Sequence, residues 1–100
     1  MFTHIVCWRY KASTTEAERS EHIAALRALG AVIEDIVSLS VGADVLHLER
    51  SFDTGLVAVF RDKSGLDRYT DHPEHMRVAS FGKSIADTVV SVDMVSEDGS

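Results

Sequence analysis

Between Phe2 and Tyr10 apolar side chains alternate along the chain. Phe2, His4, Val6, Trp8 and Tyr10 share one face, and Thr3, Ile5, Cys7 and Arg9 share the other. That period predicts a first strand over residues 2–10. Residues 13–30 change to helical spacing, with His22, Leu26, Leu29 and Ile33 on one side and Ile23 beside them. Ser13, Thr14 or Thr15 can cap this helix, acidic residues crowd its first turn, and Gly30 is expected to stop it. A second strand is predicted over 36–42, closed by Gly42. Residues 43–53 read as a connection with some extended structure. Residues 54–60 form a clearer strand, with Leu56, Ala58 and Phe60 on one face and Val57 and Val59 on the other. A short helix over 62–71 follows. His72 precedes the only proline, and that position disfavours helical angles. Pro73 suits the first turn of a new helix, predicted over 73–86. A last strand over 88–95 closes the chain.

The order β-α-β-β-α-β predicts the ferredoxin-like α+β arrangement, a four-stranded antiparallel sheet with helices on one face. The helices can cover only one side of that sheet, yet the first strand is apolar on both. A bare apolar sheet face is sticky, and a second copy packed sheet to sheet about a two-fold axis would cover it. A homodimer is therefore expected.

One hundred residues, 45% of them apolar, suffice for one domain and one core. The domain is expected over residues 1–95, with a flexible tail over 96–100. The formal net charge of −6, with basic residues scattered among acidic ones, argues against a nucleic-acid partner. No apolar run reaches the ~20 residues that span a membrane, and no signal-peptide pattern opens the chain. The single cysteine, Cys7, excludes an internal disulfide and fits a reducing cytoplasm. Cys7 is read as a small core residue.

Chemistry concentrates in the stretch YTDHPEHM, residues 69–76. On a helix starting at Pro73, His75 shares an inward row with Val78, Gly82 and Ile85. It also lies near the helix's amino end, where free N–H groups disfavour an imidazolium. A neutral His75 could accept a proton near pH 7. Tyr69, one corner away, could donate to a carbonyl or enolate oxygen, and His72 at the corner could orient either. A plainer reading packs Tyr69 and His75 against the sheet and makes His72 a helix cap. A metal site from His4, His72 and His75 is disfavoured by the proline between the motif histidines. His47, in the connection after Gly42, reads as a surface or dimer-interface residue.

THIV around His4, SFDTGLVAVF, YTDHPEH and the late strand VVSVDM together resemble the dimeric stress-responsive A/B barrel (Dabb) family over roughly residues 2–95. The resemblance implies subunits dimerised sheet to sheet. By similarity to the family's plant polyketide cyclases, it implies Tyr69 and His75 as a catalytic pair in an aldol cyclisation that uses no cofactor. His75 would be the general base, and Tyr69 would hold the developing oxyanion. His4 and His72 match pocket positions. The remaining inward candidates are Val6, Trp8, His22, Leu26, Leu56, Val78 and Ile85. His22 and Leu26 stand where those cyclases carry aromatic residues, and Ala86 stands where they carry a tryptophan, so a pocket for a long alkyl-tailed polyketide is not expected. The ligand implied is a small aromatic or β-dicarbonyl compound. Two alternatives are a non-enzymatic structural dimer, favoured by a filled interior, and a haem- or antibiotic-type monooxygenase suggested by fold analogy, with His22 or His75 on haem.

Overall fold

A computed structural model describes residues 1–96. Its elements are β1 (Phe2–Tyr10), α1 (Glu16–Val32), β2 (Ser38–Ala43), β3 (Thr54–Phe60), α2 (Lys63–Asp71), α3 (Pro73–Ile85) and β4 (Ala86–Val95). The four strands form one antiparallel sheet in the order β2-β3-β1-β4. This is the ferredoxin-like fold.

Local chemistry explains most boundaries. Thr15 caps α1 in a capping box: its hydroxyl accepts from Glu18 N, while the Glu18 carboxylate accepts from Thr15 N at 2.8 Å. Gly30 does not end α1. The helix runs on to Val32 because its last turn still buries Leu29 and Ile33, and the Ile33 N–H bonds Leu29 O. Packing of that turn outweighs glycine's preference for a helix end. Asp62 caps α2 by accepting from Gly65 N at 3.0 Å. Residues 44–53 are a loop rather than extended structure. Asp44 accepts from the His47 N–H at 2.7 Å, and His47 itself takes the left-handed angle φ 52°. His47 is exposed there, as are Val45 and Leu46.

The core lies between the sheet and its helices. Val6, Trp8 and Tyr10 of β1, and Leu56, Ala58 and Phe60 of β3, pack against Leu26 and Leu29 of α1, Tyr69 of α2, and Val78 and Ile85 of α3. Each large side chain buried in this way contributes about 1.5–3 kcal/mol. The opposite sheet face is uncovered. It carries Ile5, Cys7, Val57, Val90, Val92 and Met94, of which the last four are 41–51% exposed. Cys7 therefore leaves the core expected for it and sits half-buried on this outer face. β4 starts two residues earlier than the pattern suggests, and only Ala86 of it is buried, because the helices do not reach across that edge strand. The backbone N–H of Ser96 bonds Met1 O at 2.8 Å, and its hydroxyl meets that of Thr3. The rest of the expected tail, 97–100, lies outside the described residues. Among the described residues no helix is long and apolar enough to cross a membrane.

His22 makes a buried polar network that the periodicity marks only as a core position. Its side chain is fully buried. Tyr10 donates its hydroxyl hydrogen to Thr54 Oγ1 at 2.8 Å, so its oxygen accepts from His22 Nδ1 at 2.8 Å. Nδ1 thus carries a hydrogen, burial disfavours a second one on the ring, and Nε2 has no hydrogen-bond partner among the described residues. Nε2 faces Gly82, where a Cβ would come within 2.7 Å of it. Burial pushes the His22 pKa below the usual 6.5. Burial lowers His75 as well, more than its bond to Thr70 O raises it. A histidine whose folded pKa is depressed stabilises the fold fully above its unfolded value, about 6.5, and that stability drains as pH falls toward the folded value. Tm is therefore expected to drop between pH 8 and pH 5.5, before carboxylates titrate. His22→Leu should show a shallower drop than the parent chain. Calorimetry showing identical slopes for the two proteins would remove His22 from this account.

Candidate active site

The corner between α2 and α3 builds the site. His72 holds extended angles, φ −66° and ψ 131°, as Pro73 requires, and its own N–H bonds Tyr69 O at 3.1 Å. Its Nδ1 accepts from Glu74 N at 3.1 Å, which makes it the cap of α3. One turn on, His75 Nδ1 lies 3.1 Å from Thr70 O. A carbonyl can only accept, so Nδ1 carries the hydrogen and Nε2 is left as the basic nitrogen. The sequence thus folds its proline corner so that one histidine ends in capping while the next lines the cavity with its Nδ1 held by a backbone carbonyl.

Tyr69 is 2% exposed, and its ring centroid stands 4.2 Å from that of His75 and 5.9 Å from that of His4. Burial pushes its phenol pKa up to about 12, so it stays a hydrogen-bond donor at any ordinary pH. His4 projects from β1 directly opposite Asp93 of β4, and its Nδ1 meets the Asp93 carboxylate. The carboxylate accepts, so His4 too keeps Nε2 free, in an Asp–His pair like those that orient catalytic imidazoles. His4, Val6, Trp8, Leu26, Tyr69, His75, Ala79, Lys83 and Val89 enclose a cavity of about 120 Å³. A groove of about 300 Å³ continues outside it along α3, past Thr70, Met76 and Ser80. The interior beside His75 is therefore not filled, against the expectation attached to a purely structural dimer.

Of the residues singled out from the sequence, His4, Val6, Trp8, Leu26, Tyr69 and His75 share this cavity. The others do not line it. His22 lies behind Trp8, ring centroids 4.9 Å apart, and is held by Tyr10. Leu56, Val78 and Ile85 are spent in the core, at 1%, 1% and 6% exposure. His72 is turned to its own backbone as a cap. His4, His72 and His75 consequently do not converge, and among the described residues no cluster of three potential ligands is placed to hold a metal ion. His22 is too enclosed to ligate haem. The cavity at His75 is smaller than the roughly 150 Å³ void that takes up a single benzene, so it has no room for a macrocycle. Asp93, Ala79, Lys83 and Val89 were missed. The i, i+4, i+8 stripe of His75, Ala79 and Lys83 was readable from helical spacing, whereas Asp93 comes opposite His4 through the β1–β4 register, which the folded sheet sets. A larger groove of about 450 Å³ follows the β2 edge, but Arg27 there is bonded to Val41 O, and no acid–base pair meets in it.

The family model for the stress responsive A/B barrel domain matches residues 2–96. The chain belongs to that family. No curated protein matches it significantly. Among solved structures, a dimeric ferredoxin-like protein of unknown function from Thermobifida fusca YX is 26% identical, with TM-score 0.85, covering 93% of this chain and 88% of that one. A dimeric protein of unknown function and ferredoxin-like fold from Bacteroides fragilis is 22% identical, with TM-score 0.81 and 93% of each chain covered. A hydroxynitrile lyase from Passiflora edulis is 16% identical, with TM-score 0.87, covering 97% and 94%. At identities this low the last two establish the shared fold alone. As a Dabb domain, the chain thus has dimeric relatives of the same fold, and its own site must be argued from its own residues.

Proposed function

We propose that this Dabb protein is a homodimer whose subunits each use His75 and Tyr69 to remove a proton from carbon beside a carbonyl group of a small ligand. The observation that carries the reading is the pairing, inside one mostly apolar cavity, of a buried phenol with a histidine fixed as a neutral base. In the step, the C–H bond breaks and its proton goes to His75 Nε2. The electron pair moves to the carbonyl oxygen, and the Tyr69 hydroxyl hydrogen-bonds the resulting enolate. Nothing is oxidised or reduced, so the step calls for no electron carrier. Asp93 keeps His4 oriented toward the same space, where its bare Nε2 can accept a hydrogen bond from a hydroxyl or enol O–H of the ligand. Dimerisation accounts for the uncovered apolar face, as the dimeric relatives suggest. The Passiflora hydroxynitrile lyase shows that this fold accommodates a lyase, though at its identity the activity does not carry over.

The test is deuterium exchange at the carbon between the two carbonyls of acetoacetamide in D2O, followed by proton NMR. Catalysed exchange is expected above the buffer rate, and Tyr69→Phe should lower it ~10²–10³-fold. Burial holds the His75 pKa below the ordinary 6.5, so the rate should stay level through neutrality and fall only on the acid side of that value. An exchange rate that protein does not accelerate would defeat the proposal.

A further inference from the structure

Among the described residues, Lys83 is the one cation lining the cavity, and none that line it is acidic. The adjoining groove also contains Lys83, and among the described residues it too has no carboxylate in its lining. In a chain of net charge −6 this is a local reversal. Among the described residues Lys83 makes no ion pair or side-chain hydrogen bond, whereas Lys63, Arg68 and Arg77 all have carboxylate partners. It stands two turns after His75 on α3, about 12 Å along the axis, with only the small Ala79 between them on that stripe. Helical side chains lean toward the amino end of their helix. The stem of Lys83 therefore leans back over Ala79, toward the space beside His75.

We infer that Lys83 selects the ligand: the site takes short carbonyl compounds that carry a carboxylate, with the carbonyl at Tyr69 and the carboxylate on the Lys83 ammonium. This rests on the site reading above and narrows it. Cavity size agrees with it. A head group smaller than benzene, about five heavy atoms, fits beside the two rings, and Lys83 lines both the cavity and the groove into which a longer ligand would extend. The amine is exposed, so its worth is that of a partly solvated ion pair, felt as selectivity rather than as tight binding.

Acetoacetate and acetoacetamide have the same heavy-atom skeleton and differ in charge. Titrating each into the ¹⁵N-labelled protein at low salt gives two dissociation constants, with the shifted amides reporting the location. Acetoacetate is expected to bind about five-fold tighter than the amide, shifting the amides of His75 and Ala79. In Lys83→Met the ratio of the two constants should fall to about one, and Lys83→Arg should restore the preference. If both probes shift His75 and Ala79 equally well in the parent protein, the assignment of Lys83 is wrong while the site stands. A preference that survives Lys83→Met also overturns it. If neither probe shifts those amides, the site reading and this inference fall together.

Discussion

Replacing His75 with asparagine is expected to slow exchange of acetoacetamide by ~10²–10⁴-fold, the usual worth of a positioned general base. Asparagine is smaller than the imidazole but keeps an N–H near the place of Nδ1, so it can still donate to Thr70 O while offering no basic nitrogen. His75 is only half-buried, and the core row behind it, Val78, Gly82 and Ile85, is untouched. Tm should accordingly move by no more than a few degrees. This separation decides between chemistry and packing. If exchange persists in the variant while the protein melts far earlier, His75 is a packing residue and the acid–base reading is lost. The phenol behaves differently with pH. With its pKa raised to about 12, Tyr69 contributes no titration to the profile, so the acid limb belongs to histidine alone.

Val92→Lys is expected to convert the protein from dimer to monomer. Val92 pairs with Ile5 in the middle of the uncovered face, flanked by Val90 and Met94 on its own strand. On a sheet-to-sheet interface a lysine there would lose its water without gaining a partner. An uncompensated charge of that kind costs about 3 kcal/mol or more, which weakens association over ~100-fold. Light scattering at micromolar concentration should give twice the subunit mass for the parent chain and the subunit mass for the variant. A monomeric parent would show that the apolar face is not a subunit interface. The fold itself should persist in the variant, because Val92 points away from the core and is 51% exposed in the single chain.

Strand and helix positions were legible because their causes are local. Alternation in β1 and β3 set which side chains enter the core, and Pro73 marked the break between α2 and α3. Where sequence reading went astray, a distant contact decided. Gly30 failed to end α1 because Leu29 and Ile33 still had a sheet to pack on. Cys7 left the core because β1 has helices on one side only. At the site, the proline corner placed Tyr69 and His75 together through neighbours in the chain; the motif left them open between acid–base and packing roles, and the family resemblance supplied the pairing. His72 and His75 are the same residue type three positions apart, and only the fold gave one to capping and the other to the cavity.

By itself, then, the sequence determined the order of elements, the alternation of side chains in β1 and β3, and the closeness of a tyrosine and a histidine at the α2–α3 corner. These follow from periodicity and from proline's missing N–H, which act over a few residues. Only the tertiary structure decided that Asp93 meets His4 from a strand some ninety residues away, that Lys83 overhangs the cavity, and that His22 is walled off behind Trp8. Those outcomes depend on strand register and on how far the helices extend across the sheet. Both are fixed when all the elements pack at once.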